Sequence, residues 1–444
     1  MGTEYEKAIS FAELYKGLQK SQRGVMWKDS VAGYSINGLK NTYKLRQSLL
    51  DGTYEISKYQ QFTLHEPKER EILATRIKDR QFQRSLCDNV LYPQITRHFV
   101  AENCACQRGR GPDYAFSKVK ACLRRYYLEN GAEGWVFKGD VKKYFPSTQH
   151  NVACQKLQEA VDDREASAEA CCIITSFAEP VLIKKLQEIG YDDDESERLG
   201  HAVAKELVKI RRASLLSPSD VENLKGAASA KLSKVLPFDF VEWALNEEYI
   251  GIGLGSQPSQ LTQLLMLNEL DHFIKERLHV KYYVRYMDDF ILIHPDKAYL
   301  KYCWGEIEKK VGELGLLLNE KTELYPLRQG VKLLKWRFIL TPKTGKIIMK
   351  MNDKKITAEK RKLRKLKAKM ENGERTMDDI RESYHSWLAN AERGQTKSVV
   401  KSMRTYYYKL FHEEAPRRNG NYRKQGRETG KGDCVRGSGE SRTA

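Results

Sequence analysis

The spacing of apolar positions changes several times along the chain. Residues 1–60 read as a basic helical lead-in, with Trp27, Tyr34, Tyr43, Leu45 and Leu49 as apolar contacts and Gly33, Gly38 and Gly52 as turns. A β-prone run covers 59–64, a helix is predicted over 80–91, the Gly- and Pro-bearing stretch 107–112 is a loop, and a helix follows over 114–127. Between Gly131 and Gly134 on one side and a basic stretch on the other, 135–141 has a strand pattern. Charged, Ala-rich helical sequence fills about 150–236 and is closed by Pro237. From 259 to 278, Leu264, Leu267, Leu270, Ile274 and Leu278 recur at intervals of three and four, which predicts a helix. Two apolar runs, 282–286 and 290–293, flank Met287-Asp288-Asp289 and predict a β-hairpin with acidic residues at its turn. A further β-prone run surrounds Trp336 and Phe338. Residues 357–411 are helical, with Leu363, Leu366 and Met370 on one apolar face and Val399, Met403, Tyr406 and Leu410 on another.

Composition bounds what such a chain can be. It has 444 residues, 41% hydrophobic and 31% charged, so it is expected to be globular, with two or three domains or subdomains. No stretch approaches the ~20 uncharged apolar residues of a bilayer span, and residues 1–20 show no signal-peptide pattern. Nine scattered cysteines argue against a disulfide framework or structural zinc, and a reducing cytoplasm is the expected location. The 77 Lys and Arg against 59 Asp and Glu leave a net charge of +18. That excess points to an anionic partner, nucleic acid before a membrane; a generally basic soluble protein is the alternative. The tail from 413 is rich in Gly and Arg and poor in apolar residues, and is expected to be disordered.

Three carboxylates carry candidate chemistry. Asp288 and Asp289 sit side by side between β-forming runs, where like charges are unfavourable unless neutralised. A divalent cation would do so, and Mg²⁺ prefers oxygen ligands; exposed turn chemistry is the plainer reading. Asp140 stands inside a strand pattern that disfavours it. It lies 148 residues before Asp288, but strands paired in one sheet could bring the two together. Such carboxylates could hold two Mg²⁺ ions roughly 4 Å apart, as polymerases and nucleases do.

Here the chain resembles a family. Tyr286-Met287-Asp288-Asp289 between hydrophobic runs is similar to the YxDD signature of reverse transcriptases, and Phe137-Lys138-Gly139-Asp140 through Phe145 to their first catalytic block. Gly251-Ile252-Gly253-Leu254-Gly255-Ser256-Gln257-Pro258-Ser259-Gln260, running to Asp271, resembles the block between them; Leu318 to Thr322 and Lys332 to Phe338 resemble the two that follow. The order is the family's, over about residues 55–412. Among its branches the bacterial enzymes of diversity-generating retroelements and of defence systems are closest in motif.

The resemblance implies an α+β right-hand polymerase fold: an N-terminal helical extension (1–54), fingers (55–134), a palm (135–345) with a helical insert at about 150–236, a thumb (346–412) and a disordered basic tail (413–444). It implies Asp140, Asp288 and Asp289, with the carbonyl of Val141, as ligands for two Mg²⁺. Phe145 matches the steric gate that excludes a 2′-hydroxyl by shape; a core phenylalanine is the alternative. Lys68 and Arg70 match the fingers cations that hold a triphosphate, for which Arg offers forked donors. Gly255 would let a template base pair approach bare backbone. Leu254 stands where many relatives carry a Gln, a loss that would weaken base discrimination; the usual preceding Pro is Gly253 here. Lys321 lies in the block that supplies a proton donor to pyrophosphate, though a lone Lys there is as often solvated. The implied partners are an RNA template, a DNA or RNA primer, deoxynucleoside triphosphates and a cognate non-coding RNA, with an accessory protein or a homo-oligomer left open and no membrane. A non-catalytic nucleic-acid-binding protein of polymerase-like fold and an RNA-dependent RNA polymerase are the alternative readings.

Overall fold

The β-forming runs predicted around the acidic residues meet in one sheet. The computed structural model describes residues 3–65 and 69–417. The structure is α+β. It divides into two compact units, one of residues 1–334 with 338–347, the other of 335–337 with 348–444. Strands β1 (Gln60–Leu64) and β2 (Arg70–Ala74) pair as an antiparallel ribbon. Strands β3 (Trp135–Asp140), β4 (Tyr282–Tyr286), β5 (Asp289–His294) and β6 (Glu323–Pro326) form a four-stranded sheet in the order β4-β5-β3-β6. Three short strands, β7 (Val331–Leu333), β8 (Trp336–Leu340) and β9 (Ile347–Met351), make a third sheet.

The four-stranded sheet is antiparallel at each of its pairings. On one of its two buried faces Phe137 and Phe290 approach to 6.0 Å between ring centres, and Phe137 meets Trp304 of the helix Lys297–Glu313 at 5.3 Å. Gly139 lies opposite Phe290 in the register, and a Cβ added there would fall 2.1 Å from the Phe290 ring. Glycine at that position is therefore a packing requirement.

Several expectations are redrawn by tertiary packing. The predicted helix over 259–278 is three pieces: Gln257–Met266, Asn268–His272 and a wide-turned stretch Phe273–Arg277, with the chain leaving helical geometry at Leu267. The hairpin turn is shorter than predicted, since Asp289 already belongs to β5. Residues 150–236 do fold as helices: His150–Ala160, Arg164–Thr175, Glu179–Glu188, Asp193–Leu216 and Val221–Leu232. The stretch Arg164–Glu188 is long and apolar enough to cross a membrane by composition, but 83% of its most apolar window is buried inside the protein, so core packing accounts for its apolarity. All cysteines among the described residues are free thiols.

In the second unit the helices Met377–Ala391 and Lys397–Phe411 pack through Tyr384 and Tyr407, and the helix Asp353–Glu371 meets the last of them where Tyr406 donates to the Lys360 carbonyl. On the last helix Met403 is buried as predicted, while Val400 and Tyr407 are buried in place of Val399 and Tyr406, because Tyr407 rather than Tyr406 packs against Tyr384. The expected disordered tail falls mostly on 418–444, outside the described residues.

Gly139→Ala is expected to cost about 3 kcal/mol, at the upper end of ordinary overpacking. Urea denaturation would measure it, and Phe290→Leu in the same chain should recover part of the loss, since the two side chains share one space.

Candidate active site at the end of the central sheet

Register builds the site. Asp140 lies directly opposite Asp289, and Asp289 directly opposite Tyr286. Directly opposed residues share a sheet face, so Tyr286, Asp289 and Asp140 form a row across three strands. Asp288 shares the two-residue turn with Met287. The Val141 amide donates to the Asp288 carbonyl at 3.4 Å, the Asn319 amide to the Asp140 carbonyl at 2.7 Å, and the Lys142 amide to the Leu317 carbonyl at 2.8 Å. The end of β3 is thus held between the hairpin turn and the 317–319 segment.

All three carboxylates are half-buried. Lys138, on the same face as Asp140, places its ammonium 3.1 Å from Asp289 Oδ1. Among the described residues no three His, Cys, Asp or Glu side chains gather into a ready-made metal cluster. The donor chemistry at this corner is nonetheless all oxygen: adjacent carboxylates and main-chain carbonyls. That set fits a hard cation such as Mg²⁺ rather than zinc.

The glycine-rich loop at 251–255 is zipped to the segment after β3. The Ile252 amide donates to the Phe145 carbonyl at 2.9 Å, Gly251 to Thr148 at 2.8 Å, and His150 to Tyr249 at 3.0 Å. Phe145 is half-buried, with Tyr144 edge-on to it at 6.0 Å. Tyr144 donates its hydroxyl to the Gln263 carbonyl; burial, with Asp288 adding to it, keeps that hydroxyl protonated. Leu254 is half-buried, and its carbonyl accepts from Leu73 of β2 at 3.2 Å. Gly255 has φ +116°, and a Cβ there would meet the Leu73 carbonyl oxygen at 3.4 Å. At Gly253 a Cβ would lie 2.5 Å from the Phe177 ring and 3.0 Å from Leu73. The contact with Phe177, from the helical insert, explains the glycine.

The structure therefore brings Asp140, Val141, Asp288 and Asp289 to one corner and ties Phe145, Leu254 and Gly255 to one another through the loop. Lys321 is exposed in the adjoining turn, where its amide donates to Asn319 Oδ1 at 3.1 Å. Arg70 is exposed at the start of β2 and linked to the group through Leu73 of its own strand. Lys68 lies outside the described residues.

Sequence reasoning missed two residues beneath the corner. Arg285 and Asp271 are both fully buried and form an ion pair with Nη2–Oδ2 at 2.6 Å and Nε–Oδ1 at 2.7 Å. The signal was present: in the 282–286 strand, Arg285 sits two residues from Tyr283, at an inward position of the pleat. Lys138 as the partner of Asp289 was also missed.

No protein-family model matches the chain, and no curated protein does. Solved structures of telomerase are similar at low level. The apo telomerase of Candida tropicalis is 10% identical with a TM-score of 0.38, covering 84% of this chain and 63% of that one. The telomerase of Candida albicans in complex with the TWJ fragment of telomeric RNA is 12% identical with a TM-score of 0.37, covering 81% and 60%. The chain thus spans less than two thirds of either, and similarity this low assigns neither fold nor chemistry.

His150 offers a pH test of the loop's anchoring. Its Nε2–H donates to the Gly251 carbonyl at 2.8 Å, and burial pulls its pKa down to about 4. The ring is neutral when folded and ordinary when unfolded, so its contribution is complete above pH ~6.5 and declines as pH falls towards 4, by on the order of 3 kcal/mol. Denaturation midpoints between pH 7.5 and 4.5 should show that decline, and His150→Gln should lose this part of the slope while keeping the part owed to carboxylates.

Proposed function

We propose that the chain is a reverse transcriptase, an RNA-directed DNA polymerase of right-hand organisation, with 55–134 as fingers, 135–345 as palm and 346–412 as thumb. The observation that carries the reading is the register at the sheet end: Asp140 faces Asp289 across β3 and β5, and the Val141 amide bonds the carbonyl of Asp288. Sequence blocks 148 residues apart thereby meet in one acidic corner, in the order the resemblance requires.

Asp140, Asp288 and Asp289, with the Val141 carbonyl, would hold two Mg²⁺. When bound, these ions supply activation of the primer 3′-hydroxyl and charge stabilisation of the departing pyrophosphate. The remaining work falls to the chain itself. Phe145, fixed through its carbonyl to Ile252, sits under the sugar and leaves no room for a 2′-hydroxyl. Arg70, and Lys68 before it, hold the triphosphate. Gly255 gives the template base pair bare backbone, and Leu254 offers the base no polar contact. Lys321 delivers a proton to pyrophosphate. The exposed cations of the helix Asp353–Glu371, among them Arg361, Arg364, Lys365 and Lys369, track template and primer backbone, making binding strongly salt-dependent. A defence system with its own non-coding RNA suits the long insert better than a diversity-generating retroelement.

The Lys138–Asp289 ion pair favours one rival, a nucleic-acid-binding protein that has stopped catalysing. Asp288→Asn separates them: DNA synthesis on a primed RNA template should fall by more than about a thousandfold, with nucleic-acid affinity kept. A parent that binds but incorporates nothing would leave the rival standing.

Phe145→Ala should raise ribonucleotide relative to deoxynucleotide use by about 10–100-fold in the same primer-extension assay. Unchanged discrimination removes the gate role. A parent that already prefers ribonucleotides points to an RNA polymerase.

A further inference from the structure

Arg285 has the largest fully buried side chain of the described residues. Taking a guanidinium out of water costs several kcal/mol unless geometry and hydrogen bonds repay it. Two of its contacts do so through Asp271, as described above. Asp271 also accepts the Tyr283 hydroxyl at 2.6 Å. A third contact, Nη2 to the Leu264 carbonyl at 3.3 Å, uses an oxygen near the end of the helix Gln257–Met266, whose ladder stops at Leu267. None of these needs to be near a reaction.

The fourth contact is different in kind. Arg285 Nη1 donates to the carbonyl of Met287 at 3.0 Å. Met287 has φ +56°, the left-handed region, which costs a side-chain-bearing residue roughly 1–2 kcal/mol. A two-residue hairpin needs such a residue and usually employs Gly or Asn. The peptide plane that precedes Asp288 is thus held by Arg285, and the plane that follows it by the Val141 amide on the Asp288 carbonyl. With both planes fixed, the Cα–Cβ direction of Asp288 is fixed too.

We propose that Arg285 is a positioning residue: anchored by Asp271, it holds the strained Met287 turn so that the Asp288 carboxylate meets the divalent cation in one orientation. The proposal rests on the polymerase reading above and goes beyond it. Nothing in the hook touches substrate, so its effect passes through Asp288.

The test separates positioning from stability. Arg285→Met with Asp271→Leu replaces a buried ion pair by apolar side chains, a change that is often neutral for stability. It deletes the hook on Met287 without leaving an unpaired charge. Tyr283→Phe removes a hydrogen bond to the same Asp271 carboxylate and leaves the hook intact. Three quantities are measured on the full chain: thermal midpoint, Mn²⁺ affinity by electron paramagnetic resonance of the free ion, and kcat and KM for deoxynucleotide on a primed RNA template. The double variant is expected to stay folded, to bind Mn²⁺ roughly 10–100-fold more weakly and to lose kcat by a similar factor, with KM little changed. Tyr283→Phe is expected to lower the thermal midpoint and leave Mn²⁺ affinity and kcat at parent values.

A folded double variant with parent Mn²⁺ affinity overturns the proposal even if the parent proves an active polymerase. If that variant does not fold, Arg285→Lys is read instead: it keeps the charge but lacks the fork, and unchanged Mn²⁺ affinity there overturns the proposal equally. A parent that binds Mn²⁺ but makes no DNA defeats the polymerase reading, and the Mn²⁺ comparison then decides this one by itself. A parent that binds no Mn²⁺ overturns both.

Discussion

The antiparallel pairing of β3 with β5 is the constraint on which the candidate site of the first unit depends. It is a match of six consecutive residues, from Trp135 opposite His294 to Asp140 opposite Asp289. A slip of one residue would turn every side chain of one strand to the other face. It would turn Asp140 or Asp289 to the face of the aromatic rings and force Phe137 or Phe290 among the buried aliphatic side chains Val136, Ile291 and Ile293 of the opposite face. The register is specified most tightly where Phe290 lies over Gly139, because only the smallest residue can face that ring. A packing requirement inside the sheet thus decides which polar groups meet at its edge. Gly139 and Asp140 are neighbours in sequence for connected reasons, one serving the aromatic face and the other the partly exposed end of the opposite face.

Both faces of the sheet are buried except at this acidic end, and the aromatic face beneath it is not wholly apolar. Arg285 and Asp271 place a full ion pair within a core otherwise built from side chains such as Leu264, Leu270, Tyr283 and Leu292. A well-packed apolar pair would serve stability as well or better. The pair is understandable if the fold needs something a hydrocarbon cannot supply, namely a donor directed at one carbonyl of the hairpin turn. Asp79 is a second buried carboxylate, and it accepts the Tyr54 hydroxyl at 2.8 Å and the Ser57 amide at 3.3 Å. There burial raises the carboxyl's pKa, and the hydrogen bonds to it work in the opposite direction. That site organises the approach to the β1–β2 ribbon and needs no chemical role.

Much of this was legible in the sequence, and the limits are physical. Strands bounded by glycines, the hairpin around Met287 and Asp288, and the helical character of 150–236 follow from local period and turn chemistry, which neighbouring residues carry. The juxtaposition of Asp140 with the hairpin was suggested by an Asp misplaced in a strand pattern and strengthened by the order of the blocks, while the register that achieves it had no local signal. The helix break at Leu267 was not legible: leucine is a good helix former, and the chain leaves helical geometry there despite it. On Lys397–Phe411 Met403 was placed correctly, but Tyr406 was taken for Tyr407 because Tyr406, Tyr407 and Tyr408 are chemically alike and only the partner Tyr384 distinguishes them. Arg285 was overlooked for a related reason. A charged residue in a strand is read as solvent-facing until a buried partner is known, and that partner lies 14 residues away on a helix.

The helical stretch 150–236, an insert in the proposed polymerase reading, is not a surface excursion. Long insertions usually cost a fold little, because they run over the surface and bury none of the core. Here Ala166, Ala170, Cys171, Ile173, Ile174 and Phe177 belong to the same core as Phe137, Phe290 and Leu264. Phe177 stacks on Tyr59 at 5.1 Å, Ser176 shares a 2.7 Å hydrogen bond with the Tyr59 hydroxyl, and the Phe177 ring occupies the space that a side chain at 253 would need. Further out, Lys205 reaches Glu55 at 2.7 Å, and Glu197 pairs with Lys58. The insert thus grips the glycine-rich loop from one side while the ribbon strand β2 holds it from the other through Leu73. A loop braced on both sides by separate elements keeps its geometry only when both are present. The insert and the ribbon therefore set the position of Leu254 and Gly255 jointly, and a change in the packing of either would be felt where the loop meets Phe145.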